Sequence, residues 1–208
     1  MNILIIGASG KTGQHLLRQL IEQGHRVTAY ARTPDKVDTY GGKVQVIQGD
    51  ARDAQALTKA TVGQDAVMVT FGPRSPKPDD LQTVFMQNLV NAMHATGVRR
   101  LVLLSAWGAT DSRPQANWLI KLLLNTMLRN VFVDKKNGEE AIMASDLDYT
   151  FVRPAILLNV ASKGRVSANL TGKGLKLLVS RADVASFMIE QLSSDQWHRQ
   201  APLIGYPK

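Results

Sequence analysis

The chain has 208 residues, 44% of them hydrophobic, which is enough to enclose one sizeable core, and we expect a single domain over residues 1–208. It has no cysteine, which excludes disulfides, thiolate nucleophiles and cysteine-ligated metals, and its four histidines lack ligand spacing, so we expect no metal site. The net charge of +8 favours anionic partners, but the basic residues are spread out rather than clustered with aromatics, so we expect no nucleic-acid partner.

The start of the chain carries no sign of a targeting segment. Met1 leads directly into a short apolar run, without the charged and apolar regions of a signal peptide. The sequence also has no apolar run of the roughly 18 residues that a membrane span needs. We therefore expect a cytoplasmic protein whose partner is a small-molecule substrate.

The first thirteen residues, MNILIIGASGKTG, join an apolar run to three glycines spaced three apart. Asn2–Ile6 predicts a buried strand, and Gln14–Gln23 has the periodicity of a helix. A dinucleotide pyrophosphate needs close backbone approach and N–H groups at a helix N-terminus, which a glycine turn provides. The spacing departs from Gly-x-Gly-x-x-Gly, and the alternative is a loop without a ligand, but the position between strand and helix favours a nucleotide-binding turn. The expected cofactor-binding residues here are Gly7, Ser9, Gly10, Lys11, Thr12 and Gly13.

The second predicted strand, Arg26–Ala31, ends without the acidic residue that NAD-preferring enzymes place there for the ribose 2′-hydroxyl. Arg32 follows it instead, and a guanidinium pairs well with phosphate oxygens. Lys11 and Lys36 add positive charge to the same region. The alternative is that Arg32 and Lys36 are solvated loop residues, with Asp35 close by. We favour NADP over NAD.

A third predicted strand, Val44–Gln48, is followed by candidate ligands for the adenine. Asp50 can accept a hydrogen bond from the adenine amino group, with Ala51 beside it, or it can cap the next predicted helix, Ala54–Thr61. Asp53 has the better position for that cap. Asp50 therefore stays a ligand candidate, with both roles open.

Two more strands deliver polar or small residues to the same edge of the predicted sheet. Ala66–Phe71 ends at Gly72, where ligands gather at the carboxyl ends of parallel strands. A helix is predicted over Leu81–Thr96, and the strand Leu101–Leu104 then delivers Ser105. The proline-containing loop at 73–80 and the segment at 107–132 are expected to determine substrate choice.

The segment Ala116–Phe132 is apolar around most of its circumference, with one narrow polar stripe. We expect it to be the helix of an insertion over residues 107–133 that covers the substrate pocket. A homodimer contact and an interfacial membrane helix are the alternatives that such a broad apolar face permits. The polar stripe, formed by Lys121, Asn125 and Arg129, argues against a membrane span.

The last third of the chain continues the alternation of helices and strands. Asp134–Ser145 predicts a helix with Lys135 and Glu139 one turn apart, and Tyr149–Arg153 predicts a sixth strand ended by Pro154. The shorter predicted elements are a strand at Leu175–Ser180, a helix at Ala182–Leu192 and a strand at Pro202–Ile204. This pattern predicts an α/β fold with a doubly wound parallel sheet, helices on both faces and a small C-terminal region on the substrate side.

These motifs together resemble the atypical short-chain dehydrogenase/reductase superfamily, in its NAD(P)H-binding group that includes biliverdin reductase B and NmrA-like proteins. The segments that carry the resemblance are Gly7–Gly13, Arg32, Gly49–Asp50, Leu103–Ser105, Asp148–Pro154 and Ser180–Ala185. The resemblance implies a Rossmann fold with NADPH laid across the strand ends. It also implies that the nicotinamide side is lined by Thr70, Phe71, Gly72, Ser105, Arg153 and Pro154.

One departure from the family limits the chemistry. Relatives that reduce carbonyls use Ser with Tyr-x-x-x-Lys, in which the tyrosine is the acid. Lys135 has Val131 at the tyrosine position, and Lys136 would pair with Phe132. Of the two predicted catalytic residues, Ser105 would hydrogen-bond the nicotinamide or the substrate, and Lys135 would orient the cofactor ribose or pair with Glu139.

An acceptor that stabilises its own negative charge asks less of the protein than a carbonyl does. We therefore expect an NADPH-dependent reductase of a flavin, a quinone or a biliverdin-like tetrapyrrole. The alternatives are an NADP-sensing regulatory protein of the NmrA-like type, which binds the cofactor without turnover, and a membrane-peripheral assembly factor.

Overall fold

The computed structural model describes residues 1–72, 80–108 and 129–208. The strands are β1 (Asn2–Ile6), β2 (Arg26–Ala31), β3 (Val44–Gln48), β4 (Ala66–Val69), β5 (Arg100–Leu104), β6 (Asp148–Pro154), β7 (Ile156–Leu158), β8 (Ser167–Asn169), β9 (Leu178–Ser180) and β10 (Leu203–Gly205). The α-helices are α1 (Lys11–Glu22), α2 (Ala54–Thr61), α3 (Leu81–Thr96), α4 (Arg129–Met143) and α5 (Arg181–Glu190), and Pro34–Lys36 forms one 3₁₀ turn.

Eight of these strands form one sheet in the order β3-β2-β1-β4-β5-β6-β10-β8. All neighbours pair in parallel except β10 and β8, which are antiparallel. The chain winds outward from β1 in one direction and then from β4 in the other, so the strand order reverses beside β1. Sheets of this topology bind ligands beside such a reversal, at the carboxyl ends of the strands.

Helices cover both faces of the sheet, as the doubly wound prediction requires. Successive residues of β1 point to opposite faces: Ile5 packs with Leu17 of α1 in one core, and Leu4 packs with Phe85 of α3 in the other. The first core also contains α5, and the second contains α2 and α4. The predicted α/β Rossmann fold is confirmed.

Most predicted element boundaries in the first half agree with the structure to within a few residues, whereas the predicted break before Asp134 is wrong. α4 runs unbroken from Arg129 to Met143. No glycine or proline stands at the predicted break to stop it, and Asp134 caps a different helix, as described below. The predicted loop at 73–79 and the predicted helix over 116–128 lie outside the described residues.

The C-terminal region contains more strand than the sequence indicates. β7 pairs in parallel with β9 in a separate two-stranded sheet, and β8 forms an edge of the main sheet. Strands of three residues are too short to show an alternating pattern, so β7 and β8 were not predicted. Pro154, predicted to follow the sixth strand, is its last residue, where its carbonyl oxygen accepts the Trp107 N–H at 2.9 Å.

Candidate cofactor and substrate site

The turn after β1 is pressed against the end of β4. Gly7 has a backbone φ of +97°, which glycine adopts without strain. A Cβ added to Gly7 would lie 2.7 Å from the amide nitrogen of Phe71. The Thr70 hydroxyl and the Gly10 N–H both donate to the Gly7 carbonyl oxygen, each at 3.0 Å. The turn is therefore held in place by its own backbone and by β4.

Gly13 lets α1 start directly against this turn. A Cβ on Gly13 would lie 2.2 Å from the Gly7 carbonyl oxygen, a distance that no side chain tolerates. Gly10 is the N-cap of α1, and within the described residues no side chain caps the helix. The first N–H groups of a helix have no intrahelical partners, so they are suited to an anion. A close backbone and open N–H groups fit the pyrophosphate of a dinucleotide.

Three cationic residues lie in the segments that directly follow β1 and β2. Arg32 directly follows β2 and is exposed, as are Lys11 at the start of α1 and Lys36 in the 3₁₀ turn. Among the described residues Arg32 makes no ion pair, so the nearby carboxylate of Asp35 does not neutralise it by direct contact. An exposed guanidinium at the end of β2 is compatible with a phosphate ligand.

The motif after β3 has a structural explanation of its own. A Cβ on Gly49 would lie 2.2 Å from the hydroxyl oxygen of Tyr30, so the ring of Tyr30 occupies the space of a side chain. That hydroxyl donates to the Asp50 carbonyl oxygen at 2.7 Å, and burial, with the nearby Asp53 and Asp50 carboxylates, raises the Tyr30 pKa to about 12. The Asp50 side chain accepts the Arg52 N–H at 2.9 Å and is exposed. Asp53 caps α2, because its carboxylate accepts the N–H of Ala56, the third residue of the helix, at 2.9 Å.

A buried ionic cluster lies at the carboxyl ends of β5 and β6. The side chains of Glu139 and Arg153 are each 1% exposed, and an Arg153 Nη2 atom lies 2.7 Å from Glu139 Oε2. The Ser105 hydroxyl donates to the other carboxylate oxygen, Oε1. The Ser105 N–H also donates to the Val152 carbonyl oxygen at 2.8 Å, which extends the pairing of the two strands. Glu139 thus joins one side chain from each strand end.

Lys135 lies one helical turn before Glu139, on the same face of α4. It is 8% exposed, and among the described residues its ammonium makes no hydrogen bond or ion pair. Burial lowers the pKa of Lys135, the nearby Glu139 carboxylate opposes that effect, and Arg153 adds to it. Pairing with Glu139 was one of the two roles predicted for Lys135; in the described residues no ion pair joins them, and Arg153 and Ser105 contact the Glu139 carboxylate. A buried amine of lowered pKa beside an ion pair is typical of a functional site.

The helix that carries Lys135 and Glu139 is fixed to α3 by a cap from a distant part of the chain. The Asp134 carboxylate accepts the N–H of Gln82 at 2.8 Å and the N–H and hydroxyl of Thr83 at 2.9 and 2.7 Å. A Cβ on Gly138 would lie 3.1 Å from the Gln82 carbonyl oxygen, so the two helices pack closely here. This contact determines where α4 presents its polar face.

The signature that begins at Ser180 has a structural role. The Asp183 carboxylate accepts the Lys163 N–H at 2.9 Å, the Ser180 hydroxyl at 2.7 Å, and the hydroxyls of Ser162 and Tyr206. Burial raises the pKa of Asp183, but these four hydrogen bonds together outweigh burial and lower it to about 2. Asp183 therefore ties the 162–163 loop and the end of the chain to the start of α5.

The structure brings three predicted residues, Ser105, Lys135 and Arg153, into one cluster. Sequence reasoning missed two further roles: Glu139 as the centre of the cluster and Asp134 as the cap of α3. Glu139 and Asp134 were visible only as acidic residues on a predicted helix. Their partners lie 14 to 52 residues away along the chain, so no local spacing identifies them. The missing tyrosine of the usual dyad falls at Val131 or Phe132, within α4 itself.

Residues 7–195 match the model of a family described as NAD(P)H-binding. The chain belongs to this family. The match begins at the first glycine of the turn and extends through α5, so it includes the glycine turn and the buried cluster.

Two similar proteins are named as reductases. The chain is 30% identical, over 99% of its length and 68% of the relative's, to a (4-alkanoyl-5-oxo-2,5-dihydrofuran-3-yl)methyl phosphate reductase of Streptomyces griseus. It superposes on the anaerobilin reductase ChuY of Escherichia coli O157:H7 with a TM-score of 0.84 and 25% identity, covering 100% of this chain and 98% of that one. These similarities support an oxidoreductase family.

Two further comparisons concern length and fold. A chloroplastic protein of Arabidopsis thaliana is 25% identical over 94% of this chain, which spans 66% of that relative. A short-chain dehydrogenase/reductase of Veillonella parvula, solved in complex with NADP, has the same fold at a TM-score of 0.83 and 21% identity, over 99% of this chain and 94% of that one. In the parts of this chain that the structure describes, no helix is long and apolar enough to cross a membrane.

Proposed function

We propose that the protein is an NADPH-dependent reductase of a small conjugated acceptor such as a flavin, a quinone or a biliverdin-like tetrapyrrole. The observation that carries the proposal is the buried cluster of Ser105, Glu139, Arg153 and Lys135 at the same sheet edge as the glycine turn. A protein that only binds a dinucleotide needs the turn, but it has no need of a desolvated ion pair and amine, which are costly to bury.

Backbone N–H groups would hold the pyrophosphate of the cofactor, and side chains would contact its adenine and nicotinamide ends. The pyrophosphate would lie on the N–H groups of residues 7–13, with Asp50 and Ala51 toward the adenine. The nicotinamide side would be lined by Thr70, Phe71, Gly72, Ser105, Arg153 and Pro154. When bound, the nicotinamide supplies a hydride.

The proposed preference for NADP rests on Arg32. We expect Arg32→Ala to weaken NADPH binding by about 1 to 3 kcal/mol, as for the loss of a charge-assisted contact, and to leave NADH binding nearly unchanged. Both cofactors would be titrated by fluorescence. The matched control is Lys43→Ala, an exposed cation at the opposite edge of the sheet, directly before β3. An equal loss for both cofactors would contradict a phosphate-binding role.

The residues of the cluster suit an acceptor that needs no strong acid. The usual tyrosine is absent, so the protein contributes a fixed environment and a source of one proton. Lys135 holds a proton on Nζ that its lowered pKa makes easier to release. The Arg153 guanidinium pairs with the Glu139 carboxylate, which compensates the negative charge that would otherwise repel an anionic product.

The test is a titration with NADPH and NADH, followed by NADPH oxidation with FMN, a naphthoquinone and biliverdin in turn. Binding of NADPH with turnover of any acceptor is the expected result. Binding without turnover would favour the NADP-sensing function instead, and the absence of binding would contradict both functions.

A further inference from the structure

The direction of one hydrogen bond limits what Ser105 can offer a ligand. The Glu139 carboxylate forms an ion pair with the Arg153 guanidinium at 2.7 Å, and a carboxylate only accepts hydrogen bonds. The single hydroxyl hydrogen of Ser105 therefore goes to Glu139 Oε1. Towards any third partner, the Ser105 oxygen has only lone pairs left.

Burial of both the Ser105 hydroxyl and the Glu139 carboxylate fixes the direction of this hydrogen bond. Glu139 and Arg153 are 1% exposed and Ser105 is 6% exposed, so water does not compete strongly for these contacts. Rotating the Ser105 hydroxyl toward a ligand would leave a carboxylate oxygen without this donor in a desolvated site, which is costly. A ligand that needs a donor from Ser105, such as a carbonyl oxygen, is therefore disfavoured.

We infer that Glu139 is a positioning residue that makes Ser105 a hydrogen-bond acceptor, and that the site consequently selects conjugated rings that present an N–H over rings that present only carbonyls. This inference rests on the proposed function and narrows it. It favours isoalloxazines, pyrroles and lactams as acceptor classes and disfavours simple quinones.

The sharpest probe is a pair of ligands that differ by that one N–H. Oxidised lumiflavin has a single ring N–H, at N3, and 3-methyl-lumiflavin has none. The dissociation constant of each is measured by quenching of flavin fluorescence, without NADPH, so the result does not depend on turnover. For the wild-type protein we expect lumiflavin to bind at least about tenfold more tightly, the value of one good hydrogen bond.

Glu139→Gln reverses the direction of the hydrogen bond with Ser105 and leaves the side-chain volume nearly unchanged. The glutamine oxygen would face the Arg153 donors, so its amide nitrogen would donate to Ser105 and release the hydroxyl hydrogen toward the ligand. We expect the preference for lumiflavin to fall to about threefold or less, with menadione binding unchanged or tighter. Ser105→Ala, which leaves the ion pair in place, should remove the preference as well.

Glu140→Gln is the matched control, because Glu140 is the next residue of α4 and its side chain is 51% exposed. It should keep the wild-type preference. Equal binding of both flavins to the wild type, binding of neither, or a preference that survives Glu139→Gln would overturn the inference. A preference that survives would mean that the methyl group is excluded by its size alone. A failure of the proposed function would show separately, as the absence of NADPH turnover in a protein that still distinguishes the two flavins.

Discussion

The glycine turn and the buried cluster lie at the same edge of the sheet but are built in opposite ways. The turn consists of seven consecutive residues, and its shape comes from the backbone and from the absence of side chains. The cluster draws Ser105, Arg153, Lys135 and Glu139 from two strand ends and a helix, and its properties come from charge in a desolvated place. The turn is therefore vulnerable to added volume, and the cluster is vulnerable to lost charge.

The largest expected effect is on the cluster. Arg153→Met leaves the Glu139 carboxylate buried without this cation, and removal of one member of a buried ion pair costs about 3 to 5 kcal/mol. Urea unfolding measures the change. Lys136→Met is the control, since the pair of Lys136 with Glu140 at 3.4 Å is half exposed and should contribute less than about 0.5 kcal/mol. Similar losses for both variants would contradict the greater energetic weight of the buried ion pair.

The turn should respond to a single methyl group. Gly13→Ala places a Cβ 2.2 Å from the Gly7 carbonyl oxygen, and because that oxygen belongs to the backbone, the relief is a shift of the turn. We expect a loss of about 1 to 3 kcal/mol in the free energy of unfolding, with NADPH binding weakened at least about tenfold. Gly10→Ala is the control, with its added Cβ at 3.2 Å from the same oxygen. A Gly13→Ala variant as stable as Gly10→Ala would contradict the steric account.

Asp183 offers a contrast with Glu139, because neutral donors rather than a cation hold it. Its folded-state pKa of about 2 lies below the ordinary value of 3.8, so the stabilisation is complete above pH 4 and is lost as the pH falls to about 2. The shift corresponds to about 2 kcal/mol. Unfolding free energies between pH 5 and pH 2 should therefore fall less steeply in Asp183→Asn than in the wild type. The exposed Asp35→Asn is the control, and equal slopes in all three proteins would contradict the role of Asp183.

The smallest expected effect concerns two helix caps: Asp134, which caps the distant helix α3, and Asp53, which caps the helix that directly follows it. Asp134→Ala and Asp53→Ala each remove a helix cap and should each cost about 1 kcal/mol in unfolding. Only the first, however, releases the helix that carries Lys135 and Glu139. We expect Asp134→Ala alone to reduce the preference for lumiflavin over 3-methyl-lumiflavin. Equal preferences in the two variants would show that the cap does not position the cluster.

Sequence reasoning predicted the first half of the fold well because the decisive interactions there are local. Val44–Gln48 and Leu81–Thr96 have clear periodicity with glycine after each, and the structure has both with the predicted bounds. The prediction failed where strands are short, as for β7 and β8, and where Asp134 was interpreted as the start of a helix. Its carboxylate instead caps α3, a partner 51 residues away at Thr83.

In the candidate site, too, the features set by neighbouring residues were predictable and the long-range contacts were not. The strand, turn and helix at the start of the chain follow from the residues around Gly7, because glycine placement is a local steric requirement. The sequence also indicated Ser105 and Lys135 by their motifs, but it left two roles open for Lys135 and gave no sign that Glu139 pairs with Arg153.

By itself, then, the amino-acid sequence determined the doubly wound fold and the place of the glycine turn, since period, glycine spacing and strand ends are properties of neighbouring residues. The tertiary structure alone decided that Glu139 binds Arg153 and Ser105, that Asp134 caps α3 and that Asp183 collects four donors. Each of these depends on which side chains burial brings together. In a desolvated interior a charge must find its partners among whatever residues the fold places next to it, however far apart they are in the chain.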